Sequence, residues 1–326
     1  GGAGYIGSVT TKLLMEKGFG VLVLDNLSTG FLSSVSCPLI VGDVGDARLL
    51  DKIFSEHEIE AVVHFAASSI VEESVFFPGL YFQNNVTAGI ALLNSMVRHN
   101  VKKLVFSSSA AVYGEPEKIP IAENAALRPT NPYGQSKLIF EQMLPWYWEA
   151  HEISSVSLRY FNAAGAAPDI SIGDRREQTT HLIPRVLKVA LKKTDCLEIY
   201  GHDYPTLDGT AIRDYIHVQD LAAAHILALN KLEQHSGYFA YNVGTGRGHS
   251  VMEVVERALE ITEKMIPIKY GPRRPGDPVA LFADVAKIKK ELGFDPVYSD
   301  LDTIIKSAWD WYCDLWYNKV HATRNT

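Results

Sequence analysis

The sequence predicts an α/β protein, a doubly wound parallel sheet carrying a smaller α/β lobe for substrate. Three observations point there. Short apolar runs alternate with longer amphipathic segments through the first half of the chain. The chain opens on GGAGYIG (1–7), a glycine-rich turn of the kind that leads into a helix and cradles phosphate. Each apolar run also ends in polar or small residues. A parallel sheet gathers those ends along one edge, where open α/β sheets bind ligands.

The elements follow in order. GGAGYIG reads as G-x-x-G-x-x-G through Gly1, Gly4 and Gly7, and as G-x-G-x-x-G through Gly2, Gly4 and Gly7. Either spacing lets backbone approach a pyrophosphate, and a helix over about 6–17 presents its amides and dipole to it. The apolar runs are VLVLD (21–25), PLIVGD (38–43), AVVHFAA (61–67), KLVFSSS (103–109) and SVSLRYFN (155–162). They lack polar alternation, which predicts strands buried on both faces. The intervening segments are long enough for crossover helices, giving the Rossmann βαβ pattern. In that fold the strand feeding the glycine turn is central. The expectation is therefore that a short apolar strand belongs before Gly1 and is missing from the sequence. Asp25 ends the next strand, where a carboxylate accepts the ribose hydroxyls of NAD and repels the 2′-phosphate of NADP. Asp25 also reads as a turn-initiating Asp before Asn26.

Beyond Asn162 the texture changes. AAGAAPDISIGDRREQTT (163–180) reads as a long loop, followed by a helix from about Ile183 and the turn-rich YGHDYPTLDGT (200–210). YFAYNVGTG (238–246) is strand-like again. The expected organisation is a dinucleotide-binding domain over 1–162, with a return near 213–246, and a second lobe over 163–212 and 247–326.

Composition narrows the partners. A formal net charge of -7, with 47% hydrophobic and 21% charged residues, suits a globular chain and argues against a nucleic-acid backbone as ligand. No run is long and apolar enough to span a bilayer, and no signal peptide is visible. Cys37, Cys196 and Cys313 are far apart and fit buried thiols better than a disulfide frame or zinc site. A reducing cytoplasm is the expected compartment. The eleven histidines show no metal-ligand spacing, so no metal is expected.

Two stretches carry chemistry. In TNPYGQSK (130–137), Asn131 suits an N-cap and Pro132 the first helical position. Tyr133 and Lys137 then share one helix face. An ammonium near a phenol favours the phenolate, a competent general base for a hydroxyl proton. FSSSAAVYG (106–114) ends a strand on the same sheet edge, where a serine hydroxyl stabilises charge developing on a reacting oxygen. A tyrosine–lysine pair alone occurs by chance, and any one serine alone reads as a cap. The combination with the glycine turn is the specific signal.

Taken together, GGAGYIG, LDNLSTG, HFAA, FSSSAAVYG, PYGQSK, RYFNAAG, DGTAIRDYIHV and RRPGD resemble the UDP-glucose 4-epimerase family of extended short-chain dehydrogenases/reductases, across essentially the whole chain. The resemblance implies NAD as cofactor and the interconversion of UDP-galactose and UDP-glucose. It also implies a homodimer through the helix over 84–99 and the helix after Tyr133. Tyr133 is then the base at the sugar 4-hydroxyl. Lys137 binds the nicotinamide ribose and lowers the tyrosine pKa, and Ser109 contacts the 4-oxygen. Gly1, Gly4, Tyr5, Ile6, Gly7, Asp25, Asn26, Asp43, Val44, Phe65, Ala66, Asn84, Ser107 and Tyr160 are implied at the NAD site. Asn162, Leu182, Tyr200, Arg213, Arg274, Asp277 and Leu281 are implied at the UDP-sugar. Arginine forks suit the diphosphate of that substrate.

The chain also departs from the family. Ser69 replaces a lysine that contacts the cofactor in some members, and Ala111 replaces a threonine near the sugar. Leu281, intermediate in size, stands where residue bulk decides on a 2-acetamido group. UDP-GalNAc/GlcNAc or UDP-pentoses remain alternative substrates. Ala110 and Ala111 argue against a 4,6-dehydratase, and the intact Tyr/Lys pair argues against a non-catalytic NAD-binding protein.

Overall fold

The computed structural model describes residues 1–176, 179–274 and 277–322. The first half runs α1 (Tyr5–Glu16), β1 (Val23–Asp25), β2 (Leu39–Val41), α2 (Ala47–Glu56), β3 (Val62–His64), α3 (Val71–Phe76), α4 (Pro78–Phe82), α5 (Ala88–Arg98), β4 (Lys103–Ser107), α6 (Pro132–His151) and β5 (Ser154–Tyr160). A π-helical turn, Gln83–Thr87, opens α5, where a regular helix is expected from 84. The second half runs β6 (Asn162–Ala164), α7 (Leu182–Ala190), β7 (Leu197–Tyr200), β8 (Ile212–His217), α8 (Val218–Gln234), β9 (Tyr238–Val243), β10 (Gly248–Ser250), α9 (Val251–Thr262), β11 (Ile268–Gly271), β12 (Ala280–Leu281), α10 (Ala286–Leu292) and α11 (Leu301–Ala322).

Strands β3, β4, β5 and β9 form a parallel sheet in that order. Its central strands β4 and β5 are buried on both faces, and consecutive side chains point to opposite ones. On β4, Leu104 and Phe106 pack with Leu50 of α2, Leu92 and Leu93 of α5 and Phe140 of α6. Val105, between them, packs with Leu14 of α1 and Leu221 and Ala224 of α8. Strands β1 and β2 pair in parallel as a separate piece. Gly1 lies between the two pieces. Its backbone nitrogen donates to the Leu24 carbonyl, and a Cβ on it would fall 2.3 Å from the Ala66 nitrogen.

Within 213–246, β9 enters the large sheet beside β5, whereas β8 pairs with β6, β10 and β12 in a second sheet. Residues 163–164, read from the sequence as loop, belong to β6 because they complete that pairing. The second lobe has its own core: Ile183, Val186 and Leu187 of α7, Val254 of α9, and Ile304, Ile305 and Trp311 of α11. No helix among the described residues is long and apolar enough to cross a membrane. The cysteines are free, but Cys196 is exposed and the other two are only half-buried. The expectation of buried thiols is thereby corrected, since each lies where its chain meets the surface.

Candidate active site

One cavity of about 1040 Å³ runs along the carboxyl ends of the large sheet and under the second lobe. At one end lies the glycine turn. Gly4 N-caps α1 with no side-chain cap, and no acidic residue sits in the first turn. The helix therefore presents open amides and its positive dipole end to the cavity. Gly7 has to be glycine, because a Cβ there would sit 2.3 Å from the Gly1 carbonyl oxygen. At Gly4 a Cβ would meet only that oxygen, at 3.6 Å, so its open side faces the cavity. This bare cradle, with Asp25 next to it, fits the diphosphate and ribose of a dinucleotide.

Asp25 ends β1, is buried, and accepts from the Ala3 amide at 2.9 Å and the Leu27 amide at 2.8 Å. Those bonds aim its carboxylate beside the turn. Asn26 donates to Asp43 at 2.9 Å, and Asp43 in turn accepts from the Gly45 amide at 2.7 Å. Asn84 donates to the Ser68 hydroxyl at 3.0 Å. Tyr5, Ile6, Val44, Phe65, Ala66 and Tyr160 line the same stretch.

The middle of the cavity holds the reactive set. Asn131 caps α6, its side-chain oxygen accepting from the Gly134 amide at 2.8 Å, with Pro132 in the first turn. That start puts Tyr133 and Lys137 one turn apart, 8% and 3% exposed. Ser109 follows β4, and its side chain acts on the Tyr133 hydroxyl, favouring the phenolate. Lys137 Nζ donates to the Ser107 carbonyl at 2.9 Å and lies 5.9 Å from the Tyr133 ring centroid. Of the predicted site residues Ser107 alone does not line the cavity. It lies beneath the floor, holding Lys137 from below.

The expected lowering of the Tyr133 pKa by Lys137 is not what the structure shows. Burial pushes the phenol above its ordinary value, while the Ser109 hydrogen bond and then the Arg176 charge pull it down. Burial also brings the Lys137 amine down to about 7, opposed by the Glu141 carboxylate. Burial is the largest influence on both groups.

The far end belongs to the second lobe. Asn162 donates to the Asp214 carbonyl at 3.0 Å. Arg213 is ion-paired with Asp277 and also donates to the Ile212 carbonyl at 2.7 Å. Arg274 lies 4.1 Å from the Tyr200 ring centroid. Leu182 opens α7 and Leu281 ends β12, both on the cavity wall.

Several residues here have no short sequence signal. Asp174, Arg175 and Arg176 line the cavity from the loop after β6, and Arg176 is held by a two-pronged pair to Asp174 at 2.8 and 2.7 Å. The RR of GDRREQ was the only hint. Arg185 lies over Tyr200 at 5.5 Å. His225, wholly buried, donates from Nδ1 to the Leu221 carbonyl at 2.8 Å, which leaves Nε2 to accept from Ser107 at 3.2 Å. Among the described residues no group of three His, Cys, Asp or Glu side chains could hold a metal ion.

The buried imidazoles make an acid-sensitive fold. Burial lowers His225 to about 4 and His64 to about 3. An unfolded histidine titrates near ~6.5. Below that pH the unfolded chain binds protons that the native one refuses. The stabilisation is therefore whole above the unfolded pKa and lost as pH falls, by ~1.4 kcal/mol per pH unit per histidine. His225→Gln is expected to flatten the fall in unfolding free energy between about pH 6.5 and about pH 4 by one such proton. A slope equal to that of the wild type contradicts the assignment.

A glycine cradle at a helix N-terminus, a carboxylate ending the next strand, and Ser109, Tyr133 and Lys137 on the same sheet edge define a class: dinucleotide-dependent enzymes that move a hydroxyl proton. A family model described as "NAD dependent epimerase/dehydratase family" matches residues 1–244. The UDP-glucose 4-epimerase of Halalkalibacterium halodurans is 49% identical over 313 residues, covering 96% of this chain and 94% of that protein. The crystal structure of UDP-glucose 4-epimerase from Brucella ovis in complex with NAD is 48% identical with a TM-score of 0.93, covering 95% of this chain and 96% of the other. That from Bifidobacterium longum, in complex with NAD+ and UDP, is 39% identical with a TM-score of 0.91, covering 96% of both chains. The chain belongs to the NAD-dependent epimerase/dehydratase family, and its cofactor is NAD.

Proposed function

We propose that the protein inverts C4 of a UDP-hexose, converting UDP-galactose to UDP-glucose through a 4-keto sugar. One observation carries this reading: Tyr133, Lys137 and Ser109 lie in the same cavity as the glycine turn and the Arg213 and Arg274 end. A cofactor and an anionic substrate anchor thus meet at one proton-transfer group. The names of the similar proteins support the choice of reaction.

Tyr133 takes the proton of the sugar 4-hydroxyl at its phenolic oxygen. Ser109 hydrogen-bonds the reacting oxygen, and Lys137, held by the Ser107 carbonyl, would bind the nicotinamide ribose. NAD bound there would supply the hydride acceptor and donor for C4 of the sugar. The cradle of Gly1, Gly4, Tyr5, Ile6 and Gly7 holds the diphosphate of NAD. Asp25 and Asn26 hold the ribose. Asp43, Val44, Phe65, Ala66, Asn84 and Tyr160 complete that wall, with Ser107 acting from beneath. Asn162, Leu182, Tyr200, Arg213, Arg274, Asp277 and Leu281 hold the UDP-sugar. Binding energy spent on the UDP leaves the keto sugar free to turn and present its other face. Tyr133 then returns the proton.

The experiment incubates the protein with UDP-galactose, and separately with UDP-GalNAc, and follows the products by NMR. Conversion of UDP-galactose is the expected result. No conversion after NAD is added would overturn the reading. Conversion of UDP-GalNAc as well would show that Leu281 leaves room for a 2-acetamido group. We further infer a homodimer in the cytoplasm. Trp146 on α6 is 75% exposed and Ile90 on α5 is also exposed, apolar side chains that a second copy would cover. Sedimentation at the mass of a single chain would contradict the dimer.

A further inference from the structure

The cations of the cavity are unevenly satisfied. Arg213 and Arg176 are paired with Asp277 and Asp174. Lys137 is bonded to the Ser107 carbonyl, and Arg185 and Arg274 gather over Tyr200 at the far end. Arg175 lies at the other end, beside the loop that follows Asp25. Among the described residues no carboxylate pairs with it. Its Nη1 donates to the Ser33 hydroxyl at 2.7 Å, and its Nε is buried without a hydrogen-bond partner.

The place of Arg175 is set by three ties between its segment and α1. Tyr5 donates to the Gly165 carbonyl at 2.6 Å, Lys12 donates to Ser171 at 2.8 Å and is ion-paired with Asp169, and Ala167 and Ile172 pack with Val9. These hold residues 165–175 along the helix whose open amides face the cavity. The guanidinium then lies 5.4 Å from the Phe31 ring centroid and 5.5 Å from that of Trp311. Phe31 belongs to the loop after Asp25 and donates its amide to the Ala3 carbonyl in the glycine turn at 3.0 Å. Arg175 therefore joins the second lobe, the 26–36 loop and the turn at one point.

We propose that Arg175 is a dinucleotide-binding residue supplied by the opposite wall: it pins the 26–36 loop against the glycine turn and offers its uncompensated charge to the diphosphate of the cofactor. The proposal rests on the reading of this end of the cavity as the NAD site. Asp25 and Asp43 line the same end and repel a diphosphate. The α1 dipole answers with only partial charge. A full, weakly hydrated guanidinium charge supplies what the helix does not.

The test measures NAD release from the holoenzyme, by chasing bound labelled NAD with excess unlabelled NAD, and UDP affinity in parallel. One charge-assisted hydrogen bond corresponds to about ten- to a hundredfold in affinity. Arg175→Ala is expected to release NAD faster by that factor, Arg175→Lys by less, and UDP affinity is expected to stay within about twofold. Release from Arg175→Ala at the wild-type rate overturns the proposal while the NAD site stands. A wild-type protein that retains and binds no NAD overturns both. Where Arg175→Ala fails to fold, Arg175→Gln and Arg175→Lys decide. Faster release from the glutamine variant supports the charge, and equal rates overturn it.

Discussion

Replacing Tyr133 with phenylalanine is expected to lower kcat by about a thousandfold, within the range for loss of a general base. UDP affinity should change by less than about twofold, because Arg213 and Arg274, the proposed UDP anchors, lie at the other end of the cavity. Phenylalanine keeps the ring, its edge contact with Tyr81 at 6.4 Å and the helix cap at Asn131. Only the hydroxyl that meets Ser109 is lost. The split between kcat and UDP binding therefore separates chemistry from folding. A variant with near-wild-type kcat would remove Tyr133 from the mechanism. A large loss of UDP affinity would show that the substrate site had collapsed instead.

Arg159→Met is expected to cost about 3–5 kcal/mol of stability, the usual penalty for stranding one charge of a buried pair. Glu141 on α6 and Arg159 on β5 are 9% and 5% exposed. Arg159 donates to Glu141 from Nε at 3.0 Å and from Nη2 at 2.6 Å. The Ser108 hydroxyl also donates to Glu141. Arg159 continues to the Tyr113 hydroxyl at 3.0 Å and the Glu123 carbonyl at 3.1 Å. Without Arg159 the Glu141 carboxylate stays in the core one turn beyond Lys137. The double variant Glu141→Leu/Arg159→Met should regain much of the loss, since it strands no charge. Urea unfolding of the two single variants and the double one measures this. Single and double variants of equal stability would mean that the pair does not act as a unit.

The fold was legible where one stretch of sequence contains the cause. KLVFSSS became β4 because its apolar run is buried on both sides, and TNPYGQSK contains its own cap, proline and reactive pair. The glycine turn was legible for the same reason. What escaped depends on residues far apart in the chain. β8 looks like the other strands, yet its partners β6, β10 and β12 draw it into a second sheet. Glu141 and Arg159 meet only because packing buries α6 against β5. Arg175 stands in a segment without regular structure, and its place comes from contacts with Tyr5, Lys12 and Val9 of α1 through its neighbours. The Tyr133 pKa was misjudged because spacing reports a neighbour's charge and not how much water burial removes.

In the proposed reaction, oxidation and reduction occur at one carbon, with the same hydrogen leaving and returning. UDP-galactose carrying deuterium at C4, incubated in ordinary water, tests this by NMR. The expected product is UDP-glucose that keeps its deuterium at C4. Product carrying a solvent hydrogen at C4, or a keto sugar that has lost its 6-hydroxyl, would contradict it.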